Sequence, residues 1–308
     1  MEKSLDDIQV VGLGQACLDH LGRIESYPKE DGKVELMDFD VQCGGPASTA
    51  LVTLSRLDIK TSFLGSISDD SFGIEILKGL KEENVDPTLL KITPGYTSQV
   101  AFISINKGDG KRTIFWHRGS VPHLRSKDVD LGPFPNARIV HTDGLMIEAA
   151  IEAAGQARER GLTMVMDAGT MREGSQSLAA MVDVLIASER FSVPLVGANE
   201  PPEKALKALR KWGPKEVVIT LGSNGSVGLC DGEIIYQKAF PIQAVDTTGA
   251  GDVYHGAYIY GLLHGWDMSE CMRFASATSA LKCMEIGARK GIPPIEEINT
   301  FINNSFPT

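Results

Sequence analysis

The sequence predicts an α/β protein built on a mostly parallel sheet with a second, smaller β-sheet attached, and three observations carry that prediction. From Ala137 onward short β-branched runs alternate with helical patterns, the order required by a parallel sheet with helices on both faces. Residues 98–105 and 113–117 are β-prone runs flanking the polar, glycine-containing stretch 106–112, a hairpin outside that alternation. Near the C-terminal end Gly249, Ala250 and Gly251 open a helical pattern in which Val253, Ala257, Tyr260 and Leu263 recur.

Composition bounds the function classes. With 308 residues and 43% apolar content, the chain can bury a large core and suits one large α/β domain or two small ones, of which one domain over residues 1–308 is the expectation. A net charge of −10 argues against a nucleic-acid partner, which needs a basic surface. No run approaches the ~18 apolar residues of a membrane span. Residues 1–7 are too acidic and polar for a signal peptide, so a cytoplasmic location is expected. Five cysteines without a Cys-x-x-Cys pair read as free thiols. Six histidines lack metal-ligand spacing, and no structural zinc is expected.

Taken in order, residues 9–14 read as a buried first strand running into a loop. Gly12-x-Gly14 is not a dinucleotide fingerprint, because Cys17 stands at its third position. The loop carries Asp19. Residues 32–41 alternate in part and end at Gly44-Gly45, before a helix starting near Ala47; such glycines suit a plain turn or a close approach of substrate. A strand, loop and helix follow over 63–82. The 108–113 run imitates part of a phosphate-binding loop but lacks its first glycine, so it reads as a hairpin tip. Strands are expected near 138–141, 163–167, 183–187 and 216–221, with helices around 148–160, 175–181 and 203–209.

Ligands of such sheets bind at the carboxyl ends of the strands. Asp167, Ser188, Glu189 and the run Thr220-Leu221-Gly222-Ser223-Asn224-Gly225 all fall there. Residues 227–230 and 233–236 form a hairpin around Asp231-Gly232. Asp267 and Glu270 fit a capping box for a helix from Met268 to about Met284. Its small residues Ala275, Ser276, Thr278 and Ser279 fit either an adenine border or close helix packing.

The chemistry concentrates in 244–257, expected as strand, turn and helix. No side chain between Thr248 and Asp252 exceeds a methyl group, so an anion can approach the amides of Gly249, Ala250 and Gly251 at the helix N-terminus. A carboxylate beside an anion hole is unfavourable unless it has a proton to remove, which makes Asp252 a candidate general base.

The run Asp246-Thr247-Thr248-Gly249-Ala250-Gly251-Asp252-x-x-x-Gly256-Ala257 resembles the C-terminal signature of the ribokinase-like (PfkB) carbohydrate kinases, and Gly44-Gly45-x-x-x-Thr49 resembles their N-terminal one, with Thr49 in place of Asn. The resemblance implies a three-layer α/β/α fold with a β-sheet lid over the sugar, formed here by about 15–43 and 97–120. It implies transfer of the γ-phosphoryl group of ATP, with Mg2+, to a sugar hydroxyl, Asp252 being the base. Asp19, Gly44, Gly45 and Thr49 would bind the sugar. Ser188, Glu189, Thr220, Gly222, Ser223, Gly225 and Ser276 would bind the nucleotide, Glu189 touching Mg2+ indirectly in place of the family's missing glutamate. Asp246, Thr248, Gly287 and Gly291 would hold a monovalent cation such as K+. A homodimer through the lid is implied as well.

Further motifs (Asp31-Gly32-Lys33, Gly44-Gly45-Pro46-Ala47, Asp252-Val253-x-His255-Gly256-Ala257) look most like the sulfofructose kinases, although two sulfonate-contacting positions of that subgroup fall on Trp116 and Leu145. A ketose or an anionic sugar is therefore the favoured acceptor, with Lys33, His117 and Arg118 as candidate anion contacts. A nucleoside kinase and a non-catalytic sugar or nucleotide sensor are the alternatives.

Overall fold

A computed structural model of the chain describes residues 5–305. The expectation about the signal peptide rests partly on residues 1–4, outside that range. In chain order, β1 (Val10–Leu13) leads into β2 (Cys17–Ile24) and β3 (Asp38–Gly44). Then come α1 (Pro46–Arg56), β4 (Thr61–Ile67), α2 (Ser71–Glu82), β5 (Leu90–Ile92) and the hairpin of β6 (Val100–Asn106) with β7 (Arg112–His117). The alternating half follows: β8 (Ile139–Thr142), α3 (Ile147–Glu159), β9 (Thr163–Ala168), α4 (Ser175–Ala179), β10 (Val184–Ser188), α5 (Glu189–Val196), α6 (Pro202–Arg210) and β11 (Glu216–Thr220). The chain closes with the hairpin β12 (Ser226–Cys230) and β13 (Glu233–Gln237), then α7 (Ala250–Leu263), α8 (Met268–Lys282) and α9 (Ile295–Ser305).

Nine strands form one sheet in the order β13-β12-β11-β10-β9-β8-β1-β4-β5. Pairing is parallel except where the last hairpin adds to β11. Central strands such as β1 and β8 are buried at every position, which explains why they read as continuous apolar runs rather than alternating ones. One face of the sheet is covered by α1, α2, α7, α8 and α9 through residues such as Leu51, Ile76, Tyr258, Met272 and Ile298. The other is covered by α3 to α6 through Ala153, Leu178, Phe191 and Leu206. The helix α7 is apolar on nearly every side because it lies between α1 and α8. Gly256 permits that approach, since a Cβ there would meet the Ala50 carbonyl at 2.5 Å.

The accessory sheet runs β3-β2-β6-β7. Asp19 pairs with Gln42 and Ala101, and Ala101 with Trp116; partners directly opposite share a face. Asp19, Gln42 and Trp116 thus lie on one face, and His20, Val41, Phe102 and Phe115 on the other.

One local expectation is corrected. Residues 244–247 are not a strand: the amides of Val245 and Asp246 both go to the Cys283 carbonyl, at 2.8 and 3.1 Å, and that of Thr247 to the Gly110 carbonyl at 3.2 Å. Ser188 and Glu189 fall at the carboxyl end of β10 as expected, where α5 starts at Glu189 with Ser188 as its N-cap. Pro194 inside that helix obscured its periodicity.

Candidate active site

The turn before α7 is built around Gly249, whose φ is 73° and whose Cβ, if present, would stand 2.6 Å from that of Ala288; only glycine meets both demands. Of the expected anion-binding amides, those of Gly249 and Gly251 have no hydrogen-bond partner among the described residues, while that of Ala250 turns back to the Thr247 carbonyl at 3.3 Å. The Asp252 amide is free as well. These are orphan donors of a helix N-terminus, and open space lies above Gly251. The unpartnered donors at this turn are the amides of Gly249, Gly251 and Asp252.

Burial, and next the charge of Asp167, push the Asp252 carboxyl up to about 6, against the opposing pull of His255, Arg112 and Lys282. His255, one turn further along α7, donates from Nδ1 to the Gly251 carbonyl at 2.6 Å, and its Nε2 lies 3.5 Å from Asp167 Oδ1. Burial also pushes Asp167 and Asp143 up to about 7 each. Asp143 accepts the amide of Gln15 at 2.6 Å. Both lie at or just beyond the carboxyl ends of neighbouring strands, β9 and β8. Asp143 carried no motif in the sequence, and only its place after a buried strand marks it.

The charge of Asp252 reaches Asp19, whose carboxyl is pushed up to about 6 chiefly by burial, with the charge of Arg289 opposing and that of Asp252 contributing. The Cys17 thiol, which donates to the Leu18 carbonyl at 3.6 Å, lies beside Asp19. Gly44 and Gly45 close round this carboxylate: a Cβ on Gly44 would overlap Asp19 Oδ2, and Gly45 has φ 95° with its Cβ direction blocked by the Gln15 carbonyl at 2.6 Å. Arg289, buried behind them, donates to Ser48 Oγ at 3.0 Å and to the Gly44 carbonyl at 3.4 Å. Nothing in its local sequence announced that role. Thr49 is fully buried on the α1 turn preceding the contact with Gly256, and its hydroxyl has no partner among the described residues.

The candidate anion contacts separate. Arg118 lines a small cleft with Gln15, Ala16, Gln99 and His123, beside the Gly45 turn. His117 pairs with Val100, which places it on the face opposite Asp19, and its Nδ1 accepts the Gly119 amide. Lys33 is exposed in the segment between β2 and β3, three residues before Leu36, which packs over Gly22. His117 is therefore removed from the Asp19 side. Arg112 was missed. From the hairpin it donates to Thr247 Oγ1 at 3.1 Å, which brings a guanidinium to the anion-hole turn.

On the nucleotide side, Ser188 Oγ donates to the Gly169 carbonyl at 2.7 Å and caps α5, while Glu189 beside it is exposed. Thr220 ends β11, and Gly222, Ser223 and Asn224 make a 3-10 turn closed by Gly225, whose φ is 92°. Ser276 is corrected: it faces the Tyr254 hydroxyl, which also bonds Ser226 at 3.0 Å, so its side of α8 is helix packing. Ser279 ties the helices together by donating to the Ala250 carbonyl at 2.8 Å.

The monovalent-cation reading is also corrected. The ammonium of Lys282, fully buried, donates to the carbonyls of Asp246, at 2.9 Å, and of Thr248. The carboxylate of Asp246 is already taken by the amide and hydroxyl of Thr248 and by the amide of Gly287. Gly287 thus offers its N–H, and Gly291 packs against the Lys282 backbone. These groups do not fit a bound alkali ion. No group of three or more His, Cys, Asp or Glu that could hold a metal is found among the described residues.

Unpartnered helix N-terminal amides and a buried carboxylate near the carboxyl ends of a parallel sheet, within electrostatic reach of a second buried carboxylate, are the arrangement that suits group transfer. The chain belongs to the pfkB family carbohydrate kinases, whose family model matches residues 7–295. It is 26% identical over 303 residues to the ribokinase of Haemophilus influenzae, covering 95% of this chain and 98% of that one. It is 29% identical over 320 residues to the 5-dehydro-2-deoxygluconokinase of Clostridium tetani, covering 96% and 93%. Among solved structures, Arabidopsis thaliana ribokinase complexed with ribose and ATP superposes with a TM-score of 0.82 at 25% identity, covering 96% and 98%. Family membership carries ATP-dependent phosphotransfer to sugars or nucleosides. No described helix is long and apolar enough to cross a membrane.

Proposed function

We propose that the protein transfers the γ-phosphoryl group of ATP to a hydroxyl of an anionic sugar or ketose, with Asp252 as general base. The observation that carries this reading is the placement of Asp252 at three unpartnered helix N-terminal amides and within electrostatic reach of Asp19. Asp19 would accept hydrogen bonds from sugar hydroxyls, orienting one of them toward Asp252. Asp252 would take its proton as the oxygen attacks in line. The amides of Gly249, Gly251 and Asp252 would hold the charge of the transferring group, and Arg112 would add a fixed positive charge. Mg2+, when bound with the nucleotide, supplies neutralisation of the phosphates.

An anionic acceptor is supported by Arg118, His123 and Arg172, which lie close enough for both guanidiniums to hold the His123 pKa below the usual histidine range, after burial as the main cause. A relative named 5-dehydro-2-deoxygluconokinase points the same way. The sulfofructose resemblance supports a ketose, with the exposed Lys33 as a candidate anion contact. A homodimer through the accessory sheet is supported by its exposed apolar face: Phe39, Val41, Phe102 and Phe115 are all more than 40% exposed, and such a patch favours a partner.

The test is ADP release with ATP and Mg2+ against ketoses, sugar acids, sulfonated and phosphorylated sugars, neutral pentoses and nucleosides. A preference for an acidic acceptor that Arg118→Ala abolishes supports the reading. A preference for adenosine overturns the acceptor class, and ligand-induced thermal shifts without ADP release overturn catalysis.

A further inference from the structure

We propose that Lys282 is a built-in cation, which takes the place of an alkali ion in holding the anion-hole turn and makes nucleotide binding independent of K+. The side chain leaves the last turn of α8 and ends, out of solvent, on two carbonyls of the segment that leads into α7. An ammonium and a potassium ion carry the same charge and suit similar oxygen neighbours. Two such groups cannot share one pair of carbonyls.

The consequence reaches the reacting amides. The helix α7 begins at Ala250 with Gly249 as its N-cap, so the Asp252 amide is one of its orphan N-terminal donors. Lys282 holds the Thr248 carbonyl immediately before this N-terminus, and the Asp252 amide has no partner among the described residues. The same ammonium fixes the Asp246 carbonyl, whose own carboxylate pins Thr248 and Gly287. One positive charge therefore sets the path of residues 246–248 and keeps the anion hole open. Lys282 is a positioning residue, acting on the phosphate through the backbone.

The test compares the wild type, Lys282→Ala and Lys282→Met in KCl, NaCl and tetramethylammonium chloride at matched ionic strength. The first readout is the unfolding midpoint without nucleotide. The second is the Kd of a non-hydrolysable ATP analogue with Mg2+. Only the second rests on the proposed function, so loss of the acceptor assignment leaves the first standing. The wild type should give the same midpoint and Kd in all three salts. In tetramethylammonium, Lys282→Ala should bind the analogue about tenfold more weakly, and K+ should restore both midpoint and affinity by entering the vacated space. Lys282→Met, which fills the space without charge, should be as weak and gain nothing from K+. A wild type whose midpoint or affinity rises in K+ over tetramethylammonium overturns the proposal even if neither variant folds. A Lys282→Met protein equal to the wild type overturns it as well.

Discussion

Gly44 lies so close to Asp19 that a single methyl group on its Cα would overlap the carboxylate oxygen Oδ2. The strand β3 can end beside that carboxylate only because residue 44 has no side chain. Substituting Gly44→Ala should displace Asp19 and raise the acceptor KM by at least about tenfold. The Kd for ATP, whose proposed contacts do not include Asp19, should stay within about twofold. Isothermal titration with nucleotide and steady-state kinetics with the acceptor separate the two, and equal losses in both would contradict the assignment of Asp19.

Removing the base should cost rate rather than binding. Asp252→Asn keeps the size of the side chain and the free amide but cannot accept the proton. We expect turnover to fall by about a hundredfold or more, with the thermal midpoint and nucleotide affinity close to the wild type. Near-normal turnover would remove Asp252 from the chemistry.

The raised pKa of Asp252 fixes the pH profile. The base works when deprotonated, and its pKa stands at about 6, so the logarithm of kcat should climb with unit slope below that pH and level above it. A profile flat from about pH 5 to pH 8 would assign the proton transfer elsewhere.

Asp167 links charge to stability. Its carboxyl is raised from 3.8 to about 7 by burial, so the folded state resists ionisation that the unfolded chain accepts freely. Its contribution to stability is fully present below 3.8 and is lost as pH rises through about 7. Asp167→Asn removes the penalty at neutral pH, on the order of 4 kcal/mol at most. The midpoint of the variant should exceed that of the wild type at pH 8, with the gap closing towards pH 4. A constant gap across that range would mean that Asp167 does not titrate this way.

The exposed aromatic face of the accessory sheet predicts its own measurement. Light scattering should find a dimer of the wild type and a monomer of Phe102→Glu. The two residues of the pair Phe102 and Phe115 lie opposite each other on β6 and β7, so one charge at 102 sits at the centre of the patch. A wild type that stays monomeric at micromolar concentration rules the dimer out.

What the sequence determined by itself was local. Alternating runs marked the sheet, the polar stretch 106–112 marked the hairpin, and small residues around Asp252 marked a helix N-terminus open to an anion. These features depend on neighbours within a few positions. Tertiary structure decided what distant segments do to one another. It sent Lys282 to the carbonyls of Asp246 and Thr248, put Arg289 behind Asp19, brought Arg112 to the anion-hole turn, and turned His117 and Ser276 away from the site. A buried charge or a strand's choice of face is set by partners tens or hundreds of residues away, and neither spacing nor propensity encodes that pairing.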